Sequence, residues 1–399
     1  MPRPLRLAAV AASTFLVHHA TALGAQTPAA PPAGPPAGPP ERVDSAEFRR
    51  RLDAAVDSLA ANDWFAGSIL VTRDGRPLYA RAVGLADRER QVPNRLETRY
   101  DVASMNKMMT AVAVLQLARD GKVALDAPVG RYLPDYPNVT VRDRVTLAQL
   151  LSHTGGLGSY WNDRYRERRA RVRTVDDYLA LFAADPLPST PGAQWEYSNA
   201  GFIVLGAIVE RVTGETYDAY VQRRIFAPSG MTGSGFWPLD EQVPDRAVSY
   251  TTGERPGPMR PGMLAGHAPA RTSAMDGRPQ RGGPAGGGYS TVVDLTRFAD
   301  ALRARTLLPK AWTDSLWAPH ATRPERMGGN AYGYGFGVER SPIGTVVGHG
   351  GGQPGSGGQL DIFLDRGYTV AILTNVDPLG AMRLDATVRR LLAGLTTER

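Results

Sequence analysis

The spacing of apolar and polar positions divides the chain into strand-like ends and a helical middle. Phe48, Leu52, Ala55, Val56 and Leu59 recur at helical spacing behind the capping position Asp44-Ser45 and predict a helix. The apolar run Gly67-Ser-Ile-Leu-Val-Thr, the turn Arg73-Asp-Gly-Arg and the run Pro77-Leu-Tyr-Ala-Arg-Ala-Val predict a hairpin, because Asp-Gly suits a tight turn. From Ser104 the pattern is helical through most of the middle, interrupted by a loop at His153-Thr-Gly-Gly-Leu-Gly. Asn199 to Val212 predicts an apolar helix ending at Gly214. Residues 251–287 are rich in Gly, Pro and Arg with little periodicity, and read as a long irregular excursion: a mobile loop over the site, or partly disordered. Short strand-like runs return at 334–339, 344–348, 358–364 and 368–374, and a helix over 380–395 completes the chain.

Strands at both ends with helices between them predict an α+β fold, an α/β sandwich. One antiparallel sheet is built from the N- and C-terminal segments and flanked by helices, with a mainly helical region inserted. The α/β part covers about 44–100 and 285–399 and the helical part about 101–284, with a site in the crevice between them. Ahead of the 44–399 domain, Arg3 and Arg6 precede an apolar run from Leu7 to Val17 and then small residues through Ala25. Residues 1–25 therefore read as a secretory signal peptide, whose apolar run is too short to anchor in a bilayer. Residues 26–43 are a Pro/Ala/Gly-rich linker. The expected protein is periplasmic or secreted, with no stable membrane insertion.

Composition narrows the function. The 399 residues include no cysteine, which removes disulfides and lipid attachment through a thiol. The formal charge of +7 falls to +5 once Arg3 and Arg6 leave (7 − 2), and the remaining basic residues are scattered. No basic stripe interleaved with aromatics appears, so nucleic acid is not an expected partner, although a mild basic excess suits anionic polymers or carboxylate substrates. No zinc-type ligand spacing, phosphate-cradling loop or Gly-x-Ser-x-Gly elbow occurs, so no metal or cofactor is expected and an α/β-hydrolase is disfavoured. Oligomeric state is left open.

The candidate chemistry starts at Asp101-Val-Ala-Ser104-Met-Asn-Lys107. Helix-forming sequence continues to Asp120, which puts Ser104 and Lys107 on the first turns of one helix. Residues three apart share a helix face, and backbone N–H groups at the helix start add a positive field. A serine hydroxyl becomes nucleophilic when a neighbouring base takes its proton. Lys107 is such a base, or a member of a proton network, provided that burial or nearby positive charge makes it neutral. Two more blocks carry suitable groups: Gln194-Trp-Glu-Tyr197-Ser-Asn199 and Val346-Val-Gly-His349-Gly350-Gly351-Gly352. Tyr197 and Asn199, two apart in an extended loop, project the same way.

These three blocks, in this order, resemble the serine β-lactamase and penicillin-binding-protein superfamily. The nearest likeness is to its class C β-lactamase-related branch, with D-stereospecific peptidases and family VIII carboxylesterases, over about Phe65 to Leu395. Leu150-Leu-Ser-His153-Thr-Gly-Gly156-Leu, Gly286-Gly-Gly-Tyr-Ser-Thr291 and Ala371-Ile-Leu-Thr-Asn375 also fit. The resemblance implies a β-lactamase/transpeptidase-like fold and a serine hydrolase without cofactor, working through an acyl-enzyme on Ser104. It implies that Lys107 and Tyr197 move protons and that Asn199 binds the substrate amide and the lysine. It also implies an oxyanion hole from the backbone N–H groups of Ser104 and Gly352. His349 departs from the commoner Lys-Thr-Gly, which weakens carboxylate recognition and disfavours β-lactam hydrolysis, while Gly350 and Gly351 let a substrate lie close to the strand. His153 is expected to shape a loop, and Tyr160, Trp161 and Trp237 to line the cleft or pack. Expected substrates are small esters, amides or D-amino-acid peptides, with β-lactams behind them. The alternative is a non-catalytic, penicillin-binding-like sensor or envelope-associated binding protein.

Overall fold

The computed structural model describes residues 42–253, 264–325 and 329–396. The expected signal peptide and nearly all of the linker lie outside the described residues. The linker ends earlier than expected, because Val43 is buried. Its N–H donates to Gly394 O at 2.9 Å, and its carbonyl accepts from Thr396 N–H at 2.9 Å.

The chain opens with α1 (Ser45–Ala61), capped by Asp44, whose carboxylate accepts from Glu47 N–H at 2.8 Å. The hairpin strands β1 (Gly67–Arg73) and β2 (Arg76–Val83) follow, and then the helices α2 (Lys107–Arg119), α3 (Asn199–Thr213) and α4 (Val292–Arg303). Gly214 ends α3 in the left-handed region at φ +73°, as its position predicts. The C-terminal part supplies β3 (Ala321–Thr322), β4 (Ala331–Tyr332), β5 (Gly337–Ser341), β6 (Gly344–Gln353), β7 (Ser356–Phe363), β8 (Tyr368–Thr374) and α5 (Leu379–Gly394). The sheet order is β2-β1-β8-β7-β6-β5-β4-β3, antiparallel throughout. The two ends of the sequence thus meet inside the sheet, one strand in from its β2 edge, where β1 lies against β8 with Ile69 opposite Ile372 and Val71 opposite Val370.

Both faces of these two strands are covered. Ile69, Val71, Val370 and Ile372 share one core with Phe48, Leu52 and Val56 of α1 and with Leu384 and Val388 of α5. Leu70, Ala371 and Leu373 face the other way, into a core holding Leu295, Phe298 and Leu302 of α4 and the apolar side chains of α2 and α3. A strand covered on both sides reads as a continuous apolar run rather than an alternation. Each fully buried Leu, Ile or Phe contributes about 1.5–3 kcal/mol relative to exposure.

Two sequence expectations change in ways that matter for the site. The run at 334–339 is not all strand: Gly333 N–H donates to Phe336 O at 2.8 Å, Gly335 sits at φ +70°, and β5 starts only at Gly337. Strand β6 instead runs past Gly348 to Gln353, pairing Gly350 with Gln359 and Gly352 with Gly357. The described parts of 251–287 are also more ordered than an excursion. Two buried ion pairs, Arg271–Asp377 at 2.5 Å and Arg278–Asp101, fasten them to the fold. Asp377 further accepts from Thr251 Oγ1 at 2.8 Å and from Gly355 N–H at 2.9 Å.

Candidate active site

Asp101 shapes the backbone that carries Ser104. One carboxylate oxygen accepts from Ala103 N–H at 2.8 Å and the other pairs with the Arg278 guanidinium, which also donates to Ser356 Oγ at 2.8 Å. Ala103 is held at φ +46°, the left-handed region, so the chain turns sharply into the helical segment. Ser104 does not begin the α-helix, as its sequence suggests, but lies in a 3₁₀ turn, Ala103–Asn106, immediately before α2. A 3₁₀ turn eclipses positions three apart, which aligns Ser104 and Lys107 more closely than an α-helix does.

Lys107 is fully buried at 0% exposure, with its Nζ 3.3 Å from Ser104 Oγ. The amine donates to Asn199 Oδ1 at 2.8 Å and to the Ala285 carbonyl. It also lies over the rings of Tyr197 (4.7 Å) and Phe202 (5.5 Å). Burial without a carboxylate pushes the amine well below its ordinary value of 10.5. A neutral amine has two N–H groups and one lone pair. In that neutral form the two oxygen acceptors take both N–H groups and the lone pair is left for the Ser104 hydroxyl, whereas an ammonium donates to Ser104 Oγ as well.

Tyr197, contributed from just before α3, is the other titratable group at the serine. Burial raises its phenol well above the usual tyrosine value, while the nearby Ser104 hydroxyl and Arg323 pull the other way. Asn199, held at the first turn of α3 by the Ser198 cap, faces Lys107 and also donates to Ser159 Oγ at 3.3 Å. His349 lies on β6 with its ring centroid 6.2 Å from that of Tyr197. Burial, above all, lowers its imidazole to about 3, against which the Gly350 carbonyl acts.

The glycines after His349 serve packing first. A Cβ on Gly351 would lie 2.4 Å from Val102 O and 3.2 Å from Ala103 Cβ, so only glycine lets β6 abut the serine turn. A Cβ on Gly286 would similarly approach Ala103 C at 3.2 Å and Ser104 N at 3.4 Å. Ser104 and Gly352 meet at the junction of two cavities. A wide lobe of ≈ 520 Å³ includes Tyr197, Arg323, Tyr332 and His349 in its lining. A narrow lobe of ≈ 40 Å³ is lined by Asn199 and by the expected Tyr160, Trp161 and Trp237.

His153 stands behind this cleft, as its sequence context predicts. It is buried, accepts from Ser198 N–H at 3.1 Å on Nδ1, and contacts Tyr332 Oη at 3.1 Å through Nε2. Sequence reasoning missed Tyr332, Arg323, Arg278 and the Ala285 carbonyl. Only the last had a signal, the glycine-rich stretch around Gly286. Among the described residues no cluster of His, Cys, Asp and Glu is arranged to hold a metal.

A family model described as Beta-lactamase matches residues 52–395. The chain belongs to the beta-lactamase family. This member is 35% identical over 373 residues to the esterase EstB of Burkholderia gladioli, covering 84% of this chain and 92% of that protein. Among solved structures it is similar to a penicillin-binding protein from Bacillus halodurans, with 28% identity, a TM-score of 0.73, and 85% and 98% of the two chains covered. A D-stereospecific amidohydrolase from Streptomyces sp. is likewise similar, with 28% identity, a TM-score of 0.68, and 87% and 98% covered. The family member is therefore an enzyme of the serine-hydrolase superfamily that includes penicillin-binding proteins. No helix among the described residues is long and apolar enough to cross a membrane.

Proposed function

We propose that this enzyme hydrolyses small carboxylic esters through a covalent acyl-enzyme on Ser104, acting outside the cytoplasm after loss of residues 1–25. Amides and D-amino-acid peptides are secondary substrates, and β-lactams poorer ones. One observation carries the reading: a fully buried lysine amine without a carboxylate partner, 3.3 Å from a serine hydroxyl.

Ser104 Oγ attacks the carbonyl carbon as its proton passes to the Lys107 lone pair. The oxyanion is received by the backbone N–H groups of Ser104 and Gly352. Tyr197, kept protonated by its burial, gives its proton to the departing oxygen and is reprotonated from Lys107. Water then attacks the acyl carbon, its proton passing to Lys107 and on through the phenol to Ser104 Oγ as the acyl–Oγ bond breaks, which frees the acid and restores the serine. The departing group occupies the wide lobe, because Tyr197, the proton donor, lines that lobe and not the narrow one. Asn199 steadies the lysine and the acyl side. Similarity to an esterase and to a D-stereospecific amidohydrolase supports acyl transfer to water. The neutral His349, in place of a permanent cation, favours esters over lactams.

A fluorophosphonate probe tests the nucleophile: Ser104 is labelled, and Ser104→Ala abolishes both labelling and turnover. Continued labelling of that variant at the same rate overturns the assignment. A panel of p-nitrophenyl esters, D-alanyl peptides and nitrocefin tests the substrate order, and faster turnover of nitrocefin than of acetyl or butyryl esters refutes it.

A further inference from the structure

Four hydrogen bonds run in series behind the cleft, and fixed backbone groups close both ends. At one end Ser198 N–H can only donate, so His153 Nδ1, 3.1 Å away, carries no proton. At the other end the Gly350 carbonyl can only accept, so His349 Nδ1, 2.5 Å away, carries one. Between them the Tyr332 phenol touches both rings, at 3.1 Å from His153 Nε2 and 3.0 Å from His349 Nε2. With its Nδ1 bare, His153 carries its proton on Nε2 and gives it to the phenol oxygen. The phenol hydrogen then goes to His349 Nε2, which accepts it.

No other arrangement satisfies all the groups. An imidazolium at His153 would set an N–H against the Ser198 N–H. An imidazolium at His349 would aim a second N–H at the phenol oxygen and leave the phenol hydrogen without an acceptor in the chain. The groups facing His349 agree: the Arg323 guanidinium disfavours a further positive charge there, and Tyr197, with its proton retained, offers no anion.

We propose that Tyr332 is a positioning residue of this site: its phenol clamps two histidines so that His349 keeps its single proton on Nδ1, turned to the Gly350 carbonyl. The clamp does two things for the cleft. It anchors the head of the Gly350–Gly352 run, which has no side chains of its own to fix it against the Ser104 turn. It also leaves His349 with no free N–H for substrate, so the imidazole is a neutral wall rather than an acid, base or anion receptor. The kinetic part of this inference rests on the hydrolase reading above, and the hydrogen-bond part does not.

Long-range ¹H–¹⁵N correlation spectra of the whole protein, labelled at histidine nitrogens and recorded near neutral pH, read the tautomers directly. The expected pattern is opposite in the two rings: His349 protonated on Nδ1 and bare on Nε2, His153 bare on Nδ1 and protonated on Nε2. A proton on His349 Nε2, whether alone or as imidazolium, overturns the clamp. In kinetics, Tyr332→Phe should lower kcat about tenfold, the loss expected for one oriented hydrogen-bond chain, while Ser104 still reacts with the fluorophosphonate. His349→Asn, whose amide nitrogen takes the Nδ1 position, should keep more activity than His349→Gln. Wild-type turnover in Tyr332→Phe, or equal rates in the Asn and Gln variants, also overturns the proposal. If wild-type Ser104 failed to label while the tautomer pattern held, the hydrolase reading would fall and the clamp would stand.

Discussion

Replacing Lys107 with Met tests whether the lysine is neutral, separately from whether the enzyme is active. Methionine keeps most of the apolar stem in a site that is 0% exposed and removes the amine that meets Ser104, Asn199 and Ala285. The folded amine lies well below its unfolded value of 10.5. Between those two values the unfolded chain holds a proton that the folded chain does not, so the lysine's contribution to wild-type stability rises with pH throughout that window and levels off above 10.5. A whole proton of difference is worth about 1.4 kcal/mol per pH unit. Methionine binds no proton, and every other titrating group cancels when the two proteins are subtracted. Urea unfolding followed by tryptophan fluorescence, between about pH 7.5 and 9.5, should show wild type gaining stability on Lys107→Met, at up to about 1.4 kcal/mol per pH unit. A difference that stays flat across that range would mean that the folded lysine keeps its proton, and it could not then be the base. The same variant should lose about 10²–10⁴ in acylation rate, the usual contribution of a positioned base.

Two further substitutions probe the walls of the cleft. Gly351→Ala drives a Cβ to 2.4 Å from Val102 O, whereas in Gly350→Ala the Cβ meets the Gln359 amide oxygen, the movable end of a side chain, at 2.6 Å. Strand β6 must therefore retreat from the serine turn only in the first, and kcat should fall about 10²-fold there and much less in the second; equal steady-state rates would refute the packing account. Arg323 lies 5.7 Å over the Trp195 ring, with no partner for its Nε and no carboxylate paired with it among the described residues. Arg323→Ala should raise KM about tenfold for esters whose alcohol part bears a carboxylate and leave neutral esters almost unchanged, and a uniform change across both sets would show that the guanidinium does not meet the departing group.

The parts of this molecule that were legible in its sequence are those whose cause is local. The α1 stripe from Phe48 to Leu59, the Asp74-Gly75 turn and the Gly214 stop each depend on neighbours in sequence, and each appears where expected. The meeting of the two chain ends in one sheet could be argued from the order of elements. What could not be read is the work done by glycine and by long-range pairing. A run of glycines has no apolar period, so β6 seemed to end at Gly348, although its continuation carries the wall beside Ser104. The Gly/Pro/Arg composition of 251–287 hid Arg271 and Arg278, whose carboxylate partners lie more than a hundred residues away in sequence. The candidate groups Ser104, Lys107, Tyr197, Asn199 and His349 do converge on one cleft. Tyr332 had no sequence signal at all, because an aromatic before a glycine is ordinary and its meaning comes from two histidines distant in the chain.

The same burial that makes Lys107 a base also determines when its charge appears. A permanently protonated lysine beside Ser104 could stabilise the oxyanion but would have no lone pair with which to take the serine proton. Here burial pushes the amine well below its ordinary value and lowers the adjacent imidazole to about 3, so a standing charge on either group is disfavoured at rest. On the proposed reaction the lysine becomes a cation only as it takes the serine proton, at the moment the carbonyl oxygen becomes an anion a few ångströms away. Each charge would be costly alone in so dry a place, and each is the other's partner. Because the Asn199 and Ala285 acceptors already hold the amine, forming that pair needs little rearrangement. A neutral His349 completes the logic: were it charged, it would oppose the protonation of Lys107 on which the first step depends.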